Sequence, residues 1–297
     1  MTDPDPARPR ASEGESTVVT ANGVRLHVVQ AGPADGEPVL LLHGFPECWY
    51  GWDPVTRRLA DAGYRVLVPD QRGYNASGKP SGVGAYRLPT LAADAAGLLD
   101  AVGADTAHVV GHDWGAAVAW WLALDHPSRV RTLAALNVPH PTVMRRTLDR
   151  SWDQRRRSWY FAAFQLPRLP ELAARAGNYR LFERSMRESS RPGAFDDADF
   201  ERYRAAWRQP GALTAMVNWY RAVARYPPPE RTDPVDPPTR VIWGVRDRFL
   251  RASMAKESVA YCRQGEAVLL DDATHWLHHE QPDQVVDHLQ TGFDAAE

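Results

Sequence analysis

The chain is poor in cysteine and in long apolar runs. It has only two cysteines, Cys48 and Cys262, among 297 residues. Two cysteines so far apart provide neither a disulfide framework nor a zinc site, which favours a reducing compartment, the cytoplasm. No run of 18 uncharged apolar residues occurs, so the sequence predicts no transmembrane helix. Residues 1–15 contain no apolar stretch, and we expect them to form a flexible leader without a secretory signal.

The chain also carries almost no net charge. Lys and Arg number 35, Asp and Glu number 37, and the formal net charge is -2. A balanced chain has no overall electrostatic attraction to nucleic acid or to an anionic membrane, so we expect neither as a partner. The 44% hydrophobic and 24% charged fractions are typical of a globular protein with an ordinary apolar core.

Short β-branched runs alternate with Ala- and Leu-rich segments at both ends of the sequence, a pattern typical of an α/β fold. Asn22-Gly23 predicts a tight hairpin turn, and the nearly all-apolar runs that follow are typical of parallel strands covered by helices on both faces. The predicted strands are 17–20, 25–30, 38–42, 65–69, 107–110, 130–137, 240–243 and 267–270, and the predicted helices are 53–62, 90–102, 116–126, 253–261 and 282–289.

A different pattern occupies the middle of the chain. Residues 140–226 lack β-branched runs and are rich in Trp, Tyr and Arg at helical spacing. The sequence therefore predicts a helical insertion at 140–226 within a core domain made of residues 16–139 and 227–297. The prolines clustered from Pro227 onward suit a stiff connector back to the sheet.

The segment Gly111-His112-Asp113-Trp114-Gly115 joins an apolar strand to an Ala-rich helix. Flanking glycines permit a cramped strand-to-helix turn that projects its central side chain above the sheet, as in a nucleophile elbow. The central residue is an aspartate, which is ionised at neutral pH and can attack a saturated carbon without a base. A helix N-cap is the alternative interpretation of Asp113.

Three other segments follow predicted strands and support a catalytic interpretation. The turn His43-Gly44-Phe45-Pro46 can aim a backbone N–H at the site, while Asp247 and His275 follow later strands. The chain order nucleophile, acid, histidine is that of the α/β-hydrolase arrangement.

From about residue 17 to 290, the sequence resembles the epoxide hydrolases of the α/β-hydrolase fold. The motifs that carry the resemblance are HGFPECWYGW at 43–52, DQRGYNASGKP at 70–80, GHDWG at 111–115, NVPHP at 137–141 and THW at 274–276. The resemblance implies an α/β-hydrolase fold with a mostly parallel eight-stranded sheet flanked by helices and an inserted all-helical cap.

The same resemblance implies a role for each motif. Asp113 would be the nucleophile, His275 the base that activates water, and Asp247 the carboxylate that orients the histidine. Backbone N–H groups of Phe45 and Trp114 would form an oxyanion hole. Asn137 stands where some relatives of the fold have an alternative acid, and an amide cannot serve as one.

Opening an epoxide leaves an alkoxide that needs a proton or a strong hydrogen bond. In the family, two cap tyrosines supply it, and Tyr160 and Tyr220 match their positions. Tyr220 shares a helical stripe with Leu213 and Met216, so it is predicted to face the core domain. Core packing with a satisfied hydroxyl is the alternative for a lone inward tyrosine.

We expect a set of large apolar side chains to contact the substrate, although plain packing remains the alternative for the two tryptophans. The set is Trp114, Phe45, Phe164, Trp276, Met144 and Leu250. Substrate identity, selectivity and pocket size stay open at this stage.

No cofactor and no metal are expected. His275, His278 and His279 cluster in sequence, but the segment matches the family's catalytic histidine loop better than a metal site. The expected partners are a small-molecule epoxide and water, and a homodimer is left open.

Two other functions compete with epoxide hydrolysis. A haloalkane or haloacid dehalogenase uses the same Asp nucleophile and needs a halide cradle. Haloalkane dehalogenases generally have Asn where Phe45 stands, and fluoroacetate dehalogenases have Arg where Trp114 stands, so both departures disfavour that chemistry. A non-catalytic ligand-binding protein on this fold is the second alternative.

Overall fold

The computed structural model describes residues 14–296. The predicted leader at 1–15 lies outside these residues except for its last two, and the first strand already begins at Glu15. Among the described residues, no helix combines the length and apolarity needed to cross a membrane.

Within residues 14–296, eight strands form one mixed sheet. They are β1 Glu15–Ala21, β2 Val24–Ala31, β3 Pro38–Leu42, β4 Arg65–Pro69, β5 Ala107–His112, β6 Val130–Leu136, β7 Thr239–Gly244 and β8 Gly265–Leu270. Their spatial order is β1-β2-β4-β3-β5-β6-β7-β8. β2 pairs antiparallel with both β1 and β4, and every other pair is parallel. The predicted mostly parallel eight-stranded sheet is confirmed.

The burial of each strand follows from its place in the sheet. The central strands β3, β4 and β5 have no exposed side chain because helices cover both of their faces. The edge strands β1 and β8 retain several exposed side chains. The carboxyl ends of the parallel strands β3, β5, β6, β7 and β8 meet along one edge of the sheet, where open α/β sheets bind ligands.

Thirteen helices are present in the described part of the chain. They are α1 Asp53–Asp61, α2 Leu88–Ala101, α3 Trp114–Asp125, α4 Pro141–Arg150, α5 Trp152–Arg157, α6 Trp159–Ala163, α7 Leu169–Ala176, α8 Arg180–Ser189, α9 Asp197–Arg208, α10 Ala212–Arg225, α11 Ser253–Val259, α12 Leu277–Glu280 and α13 Pro282–Phe293. All five helices predicted outside the insertion are found, with shifted ends. The one-turn α12 is too short to show a helical repeat in sequence, and it was not predicted.

The stretch between β6 and β7 holds α4 to α10 and, within the described residues, no strand. Indole and phenol groups of this insertion donate to loops at the carboxyl ends of β3 and β4. Trp207 Nε1 donates to the Pro46 carbonyl at 2.5 Å, and Trp219 Nε1 donates to the Arg72 carbonyl at 3.0 Å. The insertion therefore covers the edge of the sheet at which the candidate residues lie.

Helix α3 begins two residues earlier than predicted and includes Gly115. A β-carbon on Gly115 would lie 2.0 Å from the carbonyl oxygen of Leu42 and 2.6 Å from that of His43. Helix α3 thus packs directly against the end of β3, and only glycine allows this approach. Glycine is therefore required at this position despite its low helix propensity.

We expect Gly115→Ala to destabilise the protein by about 3 kcal/mol or more, because its methyl group would overlap backbone that cannot move away. Gly292 in α13 is the matched control, since its added β-carbon would meet nothing closer than 3.8 Å. Gly292→Ala is expected to be neutral or stabilising by up to about 1 kcal/mol. Thermal unfolding of both variants tests this difference, and equal midpoints would contradict it.

Candidate active site

Asp113 occupies a strained turn between β5 and α3. Its φ is 49°, a left-handed conformation that is rare for residues other than glycine and typical of functional turns. A β-carbon on Gly111 would lie 2.5 Å from the backbone nitrogen of Ala116, so the turn leaves no room for a side chain at Gly111. The turn raises the Asp113 carboxylate above the end of β5.

The loop after β3 reaches this carboxylate through its backbone. Phe45 N–H donates to Asp113 Oδ1 at 2.9 Å. A β-carbon on Gly44 would lie 2.4 Å from the Asp113 β-carbon, so glycine is required for the loop to approach. Trp114, the first residue of α3, directly follows Asp113. One predicted oxyanion-hole donor, the Phe45 N–H, thus contacts the carboxylate itself.

His275 lies between two carboxylates. Its Nε2 is 3.5 Å from Asp113 Oδ2, and its Nδ1 is 2.8 Å from Asp247 Oδ2. The other Asp247 oxygen, Oδ1, accepts the backbone N–H groups of Phe249 at 2.6 Å and Leu250 at 3.0 Å. The structure therefore brings together the three residues predicted as nucleophile, base and orienting acid.

Asn137 supports Asp247, a role that the sequence analysis missed. It is fully buried; its Nδ2 donates to Asp247 Oδ2 at 2.5 Å, and its Oδ1 accepts the Gly244 N–H at 2.9 Å. The signal available in the sequence was its position directly after β6, where some relatives of the fold have an alternative acid. An amide there orients the neighbouring carboxylate without adding a second negative charge.

The electrostatics of the site follow from this arrangement. Burial raises the pKa of Asp113, but the hydrogen bond and positive charge of His275, together with His112 and the Phe45 N–H, outweigh it and lower the pKa below its usual value. Burial lowers the pKa of His275, but the Asp247 and Asp113 carboxylates outweigh it and raise the pKa to about 10. At neutral pH the resting site therefore contains an imidazolium between two carboxylates.

Tyr160 and Tyr220 face Asp113 from the insertion. Their rings are 5.9 Å apart, and the Tyr220 ring lies edge-on to Trp114 at 4.9 Å and to Phe45 at 5.2 Å. Gln165 Nε2 donates to the Tyr220 carbonyl at 3.2 Å, which ties the segment after α6 to α10. Burial and the Asp113 charge raise the pKa of both tyrosines well above the usual value, so both keep their hydroxyl protons.

Two cavities meet at the carboxylate and the tyrosine pair. One has a volume of about 340 Å³ and the other about 310 Å³, and Asp113, Tyr160 and Tyr220 line both of them. The first extends under α6, α7 and α8, and the second runs between α4 and the proline-rich connector. The site therefore has two apolar arms with the reactive groups at their junction.

All six side chains predicted to contact substrate line one of these arms. Phe45, Phe164 and Trp276 line the first arm, while Trp114, Met144 and Leu250 line the second. The sequence analysis missed other lining aromatic residues, because their positions on short insertion helices and after Asp247 carry no recognisable pattern: Trp159, Phe161, Phe182 and Phe249.

A second buried cluster lies beside the site. Ligand atoms of Glu47, His112 and His278 all lie within 4.8 Å of one another, a spacing that a metal ion could use. Glu47 already accepts hydrogen bonds, from Tyr203 Oη at 2.9 Å and from His279 Nε2 at 2.7 Å. His278 Nε2 is 3.3 Å from the other Glu47 oxygen. These hydrogen bonds explain why the three side chains lie together, so the cluster does not require a metal ion.

The cluster also reaches the catalytic loop. His112 Nε2 donates to the His275 carbonyl at 2.8 Å, since a carbonyl oxygen can only accept. His112 Nδ1 is 3.3 Å from Glu47 Oε2. Burial raises the pKa of Glu47, but its interactions with His278 and His279 and its hydrogen bonds with His112 and His278 outweigh burial and hold the pKa well below its usual value. His112 therefore connects the loop that carries His275 to a buried carboxylate.

Comparisons with known proteins show the family and the fold of the chain. Residues 37–282 match the α/β-hydrolase fold family. The AB hydrolase superfamily protein YfhM of Bacillus subtilis is 47% identical over 264 residues, which cover 89% of this chain and 92% of that protein. Epoxide hydrolase A of Mycobacterium tuberculosis is 34% identical over 306 aligned residues, covering 90% of this chain and 94% of that protein. The crystal structure of an epoxide hydrolase from Bacillus megaterium in complex with an inhibitor has a TM-score of 0.86 and 26% identity, covering 94% of this chain and 100% of that one.

Replacing Asp113 should change the titration of His275. Asp113→Asn removes one of the two carboxylates, so the pKa of His275 should fall from about 10 towards its ordinary value of 6.5. A raised pKa in the folded state stabilises the fold below pH 6.5, and this stabilisation is lost as pH rises to about 10. The variant should therefore lose less stability over that interval. NMR titration of the imidazole and unfolding at several pH values measure both effects.

The control for this titration is Asp35→Asn, because Asp35 is exposed in the loop between β2 and β3. An unchanged His275 titration in Asp113→Asn would show that the two side chains do not interact.

Asn137→Ala should remove one buried hydrogen bond from the Asp247 carboxylate, which keeps its contact with His275, and should remove the side-chain acceptor of the Gly244 N–H. We expect a destabilisation about 2 kcal/mol larger than that of Asn178→Ala, together with slower turnover. Asn178 is the matched control because it is exposed and has a φ of 51°, close to the 54° of Asn137. Alanine therefore causes similar backbone strain at both positions. Equal unfolding midpoints for the two variants would show that Asn137 does not support Asp247.

Proposed function

The chain belongs to the epoxide hydrolases of the α/β-hydrolase fold family, and from this membership we propose that it converts an epoxide to a vicinal diol through a covalent ester on Asp113. One observation carries the proposal: an ionised carboxylate and two protonated tyrosines, Tyr160 and Tyr220, line the junction of the same two apolar cavities. A nucleophile on one side and hydroxyl donors on the other match the needs of epoxide opening.

In the first step, an Asp113 oxygen bonds to one epoxide carbon as the bond from that carbon to the epoxide oxygen breaks. Tyr160 and Tyr220 donate hydrogen bonds to the departing oxygen, and one of them transfers its hydroxyl proton to it. The oxygen thus ends as a hydroxyl, and the tyrosinate is reprotonated from solvent. The raised pKa values of both tyrosines keep them protonated and available as donors at neutral pH. The product of this step is an alkyl ester of Asp113.

Ester formation also prepares the second step. It removes the negative charge of Asp113, so the pKa of His275 falls and Nε2 can release its proton to solvent. Neutral His275 then takes a proton from water as the water oxygen attacks the ester carbonyl. Backbone N–H groups of Phe45 and Trp114 stabilise the resulting oxyanion, and its collapse releases the diol and restores the Asp113 carboxylate. One diol oxygen therefore comes from Asp113.

We assign the insertion, residues 140–226, as the cap that carries the two tyrosines, over a core domain of residues 16–139 and 227–297. The proposed reaction uses water and the epoxide only, with no cofactor. A cytoplasmic location and a homodimer stay predictions.

The two arms indicate which epoxides fit. Cavities of about 340 and 310 Å³ leave the reactive junction on two sides, so each epoxide carbon can carry an apolar substituent. An epoxide within a chain, or between two bulky groups, uses both arms, whereas a small terminal epoxide fills only one.

Dehalogenation is the nearest alternative, because the same carboxylate, acid and histidine can displace a halide. Phe45 presents a phenyl ring to Tyr220 and offers no side-chain donor for a halide. A ligand-binding protein without turnover is the second alternative, and nothing in the geometry favours it over the enzyme.

The first test is diol formation from a panel of aryl, alkyl and fatty-acid epoxides. We expect turnover by the native chain and a loss of at least roughly a thousandfold in Asp113→Ala, with little change in the exposed control Asp35→Ala. Halide release from haloalkanes is measured in parallel. Halide without diol would favour the dehalogenase, and epoxide binding without diol would favour the binding protein.

The origin of the diol oxygens tests the ester itself. A single turnover in ¹⁸O-labelled water should give largely unlabelled diol, because the first diol oxygen comes from Asp113. Full labelling in the first turnover would exclude the covalent intermediate.

A further inference from the structure

The near-zero net charge hides a strong separation of charge along the chain. Residues 140–226 contain 17 arginines and nine acidic residues, a net charge of +8. The rest of the chain contains 18 basic and 28 acidic residues, a net charge of -10. The insertion is therefore cationic and the core domain anionic, and the total charge of the chain describes the surface of neither.

Helix α7 of the insertion has its apolar side outward. Leu169, Leu172, Ala173 and Ala176 recur at i, i+3, i+4 and i+7, and all four are exposed. The acidic residue of the helix, Glu171, is buried and pairs with Arg221 at 2.7 Å, while its other charged residue, Arg175, is exposed. A helix that faces water normally has the opposite arrangement. The outward face of α7 is thus suited to contact with an apolar phase.

This face is part of a larger exposed apolar patch, the mouth surface, formed by Trp159, Leu166, Leu169, Leu172 and Leu181. These side chains are 47% to 68% exposed. All except Leu172 also line the first arm of the cavity at Asp113. Contiguous exposed apolar residues of this kind mark contact sites. The mouth surface therefore surrounds the entrance through which an apolar substrate reaches the nucleophile.

Exposed arginines flank the mouth surface. Arg168 and Arg175 lie with Leu172 around a surface depression beside α7, and Arg180 directly precedes Leu181. Within residues 14–296, none of these three arginines has an ion-pair partner. Surfaces that bind anionic lipid typically combine unpaired guanidinium groups with exposed leucine and tryptophan side chains, as this surface does.

We propose that the mouth surface docks on an anionic lipid surface, so that apolar epoxides enter the first arm directly from the lipid. Charge complementarity favours this partner over a second copy of the chain, because two insertions of net charge +8 repel each other. The apolar groups insert into the interface while Arg168, Arg175 and Arg180 contact lipid headgroups. The expectation that the chain does not bind an anionic membrane came from its total charge, which does not reflect this separation of charge.

Vesicle sedimentation tests the proposal with phosphatidylcholine vesicles that do or do not contain phosphatidylglycerol. We expect the native chain to bind the anionic vesicles, to bind the neutral ones far less, and to dissociate as salt is added. An arginine near an anionic surface contributes about fivefold to the partition constant, so Arg168→Glu with Arg175→Glu should weaken binding by at least roughly 25-fold. Leu172→Ser should weaken it by about fivefold because an inserted apolar side chain is lost.

Matched controls separate the mouth surface from general effects of charge. Arg25→Glu with Lys256→Glu makes the same charge change at exposed positions of the core domain, and Val18→Ser removes an exposed apolar side chain from β1. These controls should bind vesicles like the native chain. Unchanged thermal unfolding of every variant shows that the fold is intact.

Three results would overturn the proposal: no binding of the native chain to anionic vesicles, equal weakening by the core-domain controls, or a dimer in analytical ultracentrifugation that Leu172→Ser disrupts while vesicle binding is absent. The last result would identify a second copy as the partner. Vesicle binding is measured without substrate, so its failure is distinguishable from a failure of the proposed epoxide hydrolysis.

Discussion

The close packing of α3 against the end of β3 is the constraint on which the site depends. Gly115 lets the helix touch the Leu42 and His43 carbonyls, and Gly44 lets the next loop reach Asp113. Any larger residue at either position would separate β3 from the turn at the end of β5. The strained φ of Asp113 is maintained by this packing, and it aims the carboxylate at the cavity while leaving the Phe45 N–H within hydrogen-bond distance.

Charge compensation organises the second half of the site. Two carboxylates hold one imidazolium, so the pKa of His275 is tied to the state of Asp113. If Asp113 becomes an ester, the imidazolium loses one partner and becomes a base at the moment when a base is needed. Asn137 preserves this balance of charge because its neutral amide donates to Asp247, whereas an acid there would add a third negative charge. The geometry thus couples the two chemical steps through a single titrating group.

The insertion makes different contacts on its two sides. Towards the core domain it offers indole donors to loop carbonyls, the Tyr203 hydroxyl to the Glu47 carboxylate and two tyrosines to the nucleophile. Away from the core domain, its helix α7 exposes leucine and surrounds it with arginine. An apolar cavity connects the two sides. Substrate access and proton donation are therefore both properties of the insertion, and Trp159 and Tyr160 contribute to the two functions from neighbouring positions on α6.

The sequence by itself determined the fold class, the eight strands and the strand-end positions of the candidate residues, because glycine-flanked turns and all-apolar strands are local patterns. Family resemblance added the roles of Asp113, His275, Asp247, Tyr160 and Tyr220, and these roles stay predictions. Only the tertiary structure decided that Asn137 supports Asp247 and that the lining side chains divide between two arms. It also decided that α7 turns its leucines outward. These features depend on contacts between residues distant in sequence, such as the 110 positions between Asn137 and Asp247, and no local pattern encodes such contacts.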